Sequence, residues 1–88
     1  MNLAILDKCA DAKNKFASFV LCSTGAFCTV QKVVSGKVAG EYRKPTRKPE
    51  ALKLWGALVR DQYFKVTGNW SDAEALAERR ISEIQTIH

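Results

Sequence analysis

The chain has almost nothing with which to run acid–base chemistry near neutral pH. Its 88 residues include one histidine, and that is the last residue, His88. Imidazole is the side chain whose ordinary titration falls between pH 5 and 8, so a terminal histidine leaves no Ser–His or Cys–His nucleophile and no histidine-based metal triad. Cysteine is scarce as well. Cys9, Cys22 and Cys28 are odd in number and contain no Cys-x-x-Cys pair, which excludes a zinc ribbon and a disulfide framework. They read as reduced, buried thiols, with a redox pair open only if folding brings two Cα atoms within roughly 6 Å. A phosphate loop is missing too: Ser35-Gly36-Lys37 matches its end, but Gln31 stands in place of the first glycine and Val38 in place of the magnesium-binding hydroxyl. Paired carboxylates are available at Glu74 and Glu78, one helical turn apart, and a helix start accounts for the first. No catalytic residue, metal or cofactor is expected, and the protein is read as a non-enzyme.

Long apolar runs are also absent. Charges interrupt every hydrophobic stretch before it reaches a membrane-spanning length, and Met1–Lys8 lacks the basic start and apolar run of a signal peptide. The expectation is a cytoplasmic protein with no membrane partner.

What is present is a folded composition with unevenly placed charge. An apolar share of 47% with 26% charged residues is that of a globular protein, and residues 1–88 are read as a single small domain. The formal net charge is +5, and Arg43, Lys44, Arg47 and Lys48 supply four cations within six residues that hold no acid. The C-terminal eighteen residues run the other way, with Asp72, Glu74, Glu78 and Glu83 against Arg79 and Arg80. Arg-Lys-Pro occurs twice in Tyr42–Pro49. Each proline fixes its own φ and pushes the residue before it out of the helical region, so the segment is expected to run extended as a stiff basic strap. Pro49 suits the first position of a following helix.

The organisation read around the strap is helix-dominated α+β. Asn2 can cap a first helix over roughly residues 2–20, with Ile5, Cys9, Ala12, Phe16 and Phe19 at helical spacing. A β-hairpin follows, turning at Ser35-Gly36, which sets Val33 opposite Val38, Thr29 opposite Tyr42 and Cys28 opposite Arg43. A short helix over residues 26–35 is the competing reading of that stretch, and with it an all-α four-helix domain is the alternative fold. Leu52, Trp55, Val59, Tyr63 and Val66 mark the next helix, stopped by Gly68-Asn69, with Gly56 admitting a close neighbouring backbone. Ser71-Asp72-Ala73-Glu74 reads as a capping box after Trp70, and it starts a last helix with Leu76, Ala77, Ile81, Ile84 and Ile87 inward.

These readings point to a binding module. The strap is expected to engage nucleic-acid phosphates, with Arg43, Lys44, Arg47 and Lys48 supplying charge, Tyr42 a stacking face, and Lys37, Lys53 and Arg60 a flank. Helix-turn-helix, zinc-finger and RNA-recognition signatures are missing, and the acidic last helix has the wrong sign for a recognition helix. The alternative is a small inhibitor or adaptor, of the kind phages and plasmids encode, that sets the same cations on an acidic or nucleic-acid-binding protein surface. An exposed aromatic such as Phe64 or Trp70 beside the strap would favour it. A homodimer through the C-terminal helix is compatible with either.

Overall fold

The structure, a computed structural model, describes residues 4–87, with the side chains of Arg43 and Ile87 outside the description. Four strands come first: β1 (Ala4–Ala10), β2 (Ala17–Ser23), β3 (Phe27–Val34) and β4 (Lys37–Arg47). They form one antiparallel sheet in the order β1-β2-β3-β4. Two helices follow, α1 (Lys48–Thr67) and α2 (Trp70–Ile87). Among the described residues, no helix is long and apolar enough to cross a membrane.

The expected N-terminal helix is therefore overturned, and so are the short helix over residues 26–35 and the all-α alternative. Two strands occupy residues 4–23, joined by a tight turn that Asp11 and Asn14 build from their own side chains. The Lys13 N–H donates to Asp11 Oδ1 at 2.9 Å and the Phe16 N–H to Asn14 Oδ1 at 3.0 Å. Spacings of four residues, such as Ile5 to Cys9, are in step with both a helical and a strand period, so they do not separate the two. Strand β2 adds to the ambiguity because both of its faces are apolar: Phe19 and Leu21 join the core under the helices, while Val20 and Cys22 are buried on the opposite face. Asn2, read as a helix cap, and His88 lie outside the described residues.

The Ser35-Gly36 turn forms as expected, with φ of 52° and 81°. Two successive positive φ values twist the turn with the strands, which suits a two-residue hairpin. Val33 faces Val38, but three register irregularities then accumulate along β3 and β4, so Val30 faces Arg43 and Cys28 faces Thr46. The expected Thr29–Tyr42 and Cys28–Arg43 pairings do not occur.

Helix α1 lies across one face of the sheet and buries Ala51, Leu52, Trp55, Leu58 and Val59. It ends at Gly68, whose φ of 71° lets its N–H reach the Phe64 carbonyl at 2.7 Å. Tyr63 and Val66, expected inward, are exposed because α1 outruns the sheet: the Ala12 N–H donates to Gln62 Oε1 at 2.8 Å, so Gln62 already lies level with the β1–β2 turn. Helix α2 folds back along α1. Its cap is Asn69, whose Oδ1 accepts from the Asp72 N–H at 3.0 Å, so Trp70 and Ser71 fall inside the helix and the Ser71 capping box does not form. A Cβ on Gly56 would stand 3.3 Å from Ile81 Cγ1; the close neighbour is thus a side chain of α2 rather than its backbone. Sheet and helices share one core, with Trp55, Leu21 and Val59 at its centre, in one small domain of strands followed by helices.

One polar knot ties three elements together. Asp7 on β1 accepts from Trp55 Nε1 of α1 at 2.9 Å and from Arg80 of α2 at 2.7 and 3.0 Å, and Arg80 also donates to the Lys8 carbonyl. Burial pushes the Asp7 carboxyl up, but the Arg80 and Trp55 hydrogen bonds, the Lys8 N–H and the Arg80 charge outweigh it and hold the group below the ordinary aspartate value.

Candidate nucleic-acid interface

The basic strap is the second half of β4, an edge strand paired only with β3. Its backbone is extended, as the prolines require. Pro45 has no N–H to offer a neighbour, which suits an edge. No loop separates strand from helix: Arg47 ends β4 with φ −62° and ψ 145°, and Lys48 opens α1 with its N–H on the Ala26 carbonyl at 3.0 Å. Pro49 is therefore the second helical residue, not the first. The strap is pinned by β3 at Arg43, Thr46 and Arg47 and by the β2–β3 turn at its end, with Lys44 and Pro45 between the paired positions.

Lys44 and Arg47 are exposed, Lys48 is half-buried, and Lys53 is exposed about a turn into α1. Neither Lys44 nor Arg47 forms an ion pair among the described residues, where the pairs are Lys32–Asp11, Arg60–Asp61 and Arg80–Asp7. Arg43 faces Val30 by backbone register, and its side chain lies outside the description. Glu50 in the first turn of α1 opposes these cations in part. Lys53 lines one wall of a groove of about 530 Å³ between α1 and α2, with Pro49 and Arg60 on its side and Glu74 and Glu78 on the other wall.

Lys37 and Arg60 do not join this cluster. Lys37 sits at the start of β4, ten residues from Arg47, which is ~30 Å in an extended strand. Arg60 is about 18 Å along the helix from Lys48. Its guanidinium lies 4.6 Å from the centre of the Trp70 ring and 3.5 Å from the Asp61 carboxylate, so it serves the corner between the helices. Tyr42 meets Phe19 edge-on at 4.8 Å between ring centres and stays 50% exposed.

Phe27 is a second exposed ring at the strap. It stands opposite Arg47 in the β3–β4 register and is 46% exposed. Its place opposite Arg47 was not legible from the sequence because it depends on the accumulated register shift; without the shift, Phe27 would fall opposite Lys44. The two-residue period of β3 was the available signal, since Cys28 and Val30 join the core under the helices and Phe27 falls on the other face of the sheet.

No three His, Cys, Asp or Glu side chains among the described residues are placed to hold a metal ion. The three cysteines are free, and burial pushes the Cys9 and Cys22 thiols up, which disfavours the nucleophilic thiolate. Comparison with known protein families, curated proteins and solved structures finds no match to this chain.

Proposed function

We propose that the protein binds nucleic acid through the C-terminal end of β4 and the first turn of α1, gripping phosphates with little preference for sequence. The observation that carries this reading is the pairing of an exposed aromatic, Phe27, with Arg47 across the strand end, beside Lys44. Single strands are held by this combination, in which cations track the phosphates and a ring stacks on an unpaired base. Arg47 offers two parallel N–H donors to one phosphate, and Lys44, Lys48 and Lys53 supply point charges along the track. Because β4 is fixed by its ladder, these side chains lose less freedom on binding than those of a loose basic tail would. With Lys37 and Arg60 elsewhere, the footprint is about three to five phosphates, which sets a moderate salt dependence.

The test is fluorescence anisotropy with labelled single-stranded and duplex oligonucleotides over a range of salt. Changing Arg43, Lys44, Arg47 and Lys48 together to Ala is expected to abolish binding while the thermal midpoint stays unchanged; undiminished binding would sink the reading. Phe27→Ala is expected to weaken single-strand binding about tenfold, the range of one lost base stack, and to leave duplex binding nearly intact.

The inhibitor or adaptor reading asks for an aromatic anchor beside the strap. Phe64 and Trp70 are exposed, but Phe64 lies about 24 Å along α1 from Lys48, so they and the strap do not make one interface. Capture of a protein partner that survives nuclease and depends on Arg47 would favour that alternative.

A further inference from the structure

Far from the strap, three turns meet at one end of the molecule. The Ser35 N–H donates to the Phe16 carbonyl at 2.8 Å, which sets the β3–β4 turn beside the β1–β2 turn. The Ala12 N–H on Gln62 Oε1, at 2.8 Å, sets the β1–β2 turn beside the last part of α1. The corner between α1 and α2 lies just beyond. Large apolar side chains stand out from the β1–β2 turn and from the helix corner: Phe16 is 64% exposed, Val66 72% and Trp70 44%, with Phe64 and Tyr63 partly exposed beside them. Exposed lysines surround them, namely Lys13, Lys15, Lys37 and Lys65. The acids at this end are mostly occupied. Asp11 pairs with Lys32 at 3.4 Å and Asp61 with Arg60 at 3.5 Å, which leaves Asp72 against the four lysines.

We infer that this end docks on the surface of an anionic lipid bilayer. Separate apolar tips on the β1–β2 turn and the helix corner do not make the flat, close-packed centre of a protein interface, but they can each enter the boundary between headgroups and acyl chains. Trp and Tyr favour that boundary, because one end of the ring is apolar and the other polar. The lysines match the negative charge of the lipids, and their apolar stems allow the ammonium groups to stay at headgroup level while the tips insert. The Trp70 ring is already held, edge-on to Phe64 at 5.2 Å and under Arg60, so little order is lost when it enters. This surface departs from the sequence expectation of no membrane partner, and it is independent of the strap.

The chain carries its own reporter. Trp55 is fully buried and Trp70 is exposed, so any shift in tryptophan emission on binding reports Trp70. The full-length protein is mixed with phosphatidylcholine vesicles that contain or lack phosphatidylserine, and co-sedimentation and emission are recorded together. Binding with a blue shift is expected only with phosphatidylserine. Lys13→Gln and Lys15→Gln should each weaken binding about fivefold, and Phe16→Ser with Val66→Ser should remove most of what remains; all four side chains are exposed, so folding is retained. The strap variant should still bind and shift. Absence of binding to the anionic vesicles overturns the proposal and leaves this end to a protein partner. Binding without a Trp70 shift, or binding lost in the strap variant and kept in the Lys13, Lys15 and Phe16 variants, overturns it as well.

Discussion

The sheet has two open sides, and they are guarded by opposite means. Strand β1 is short, bulged between Ile5 and Asp7, and secured by contacts: Asp7 is held by Trp55 and Arg80, and Arg80 also takes the Lys8 carbonyl. Strand β4 is long, eleven residues, and no described element pairs with its outer side. Three register irregularities, Pro45 and the charge of Lys44 make it a poor template for another strand while leaving it accessible. One edge is thus protected by the interactions that hold the fold, and the other by features that leave its cations available. Stability and binding should therefore separate by mutation.

The largest effect is expected at β1. Asp7→Ala leaves the half-buried Arg80 and the buried Trp55 N–H without their acceptor, and should cost about 3 kcal/mol, the lower end for breaking a buried pair because Asp7 and Arg80 keep some solvent contact. Chemical denaturation measures it; a loss under about 1 kcal/mol, the scale of an ordinary hydrogen bond, would show that β1 is held by packing alone. Acid provides the next test. The Asp7 pKa is lowered in the folded state, so its contribution is complete above the unfolded aspartate value of about 3.9 and is lost as pH falls through the folded value. Wild-type stability should decline more steeply below about pH 4 than that of Asp7→Asn; parallel curves would remove the carboxylate from the account. The smallest effect belongs to β4, where Lys44→Ala with Arg47→Ala should shift stability by no more than about 0.5 kcal/mol, as for unpaired surface residues. A larger loss would mean that the strap cations help to hold the fold.

The two helices and one hairpin turn were legible in the sequence because their signals are local. The Ser35-Gly36 turn and the Gly68 stop each require a backbone conformation that few residues adopt, and the apolar stripe of α1 repeats at one period. The N-terminal half was not, because four-residue spacings fit both structures and β2 is apolar on both faces. Even in the helices, the choice between Asn69 and Ser71 as cap turned on a shift of two residues. At the candidate site the cluster of cations was visible, but not its extent. A strand stretches the chain, so Lys37, near the strap in sequence, ends far from it. The Asp7–Arg80 pair spans 73 residues and leaves no local pattern at all.

That span also sets an order of assembly. During synthesis the four strands leave the ribosome before either helix, and a meander can pair neighbour to neighbour as it emerges, since every pairing is short-range. Such a sheet has no cover for Phe19, Leu21 and Val30 until α1 follows, and its first strand has no clasp until Arg80 of α2 is made. The clasp from α2 thus completes a strand made well before it. A nascent or C-terminally clipped chain that ends before Arg80 would present β1 as a bare edge, open to pairing with another chain, and the full-length protein closes that interval by itself.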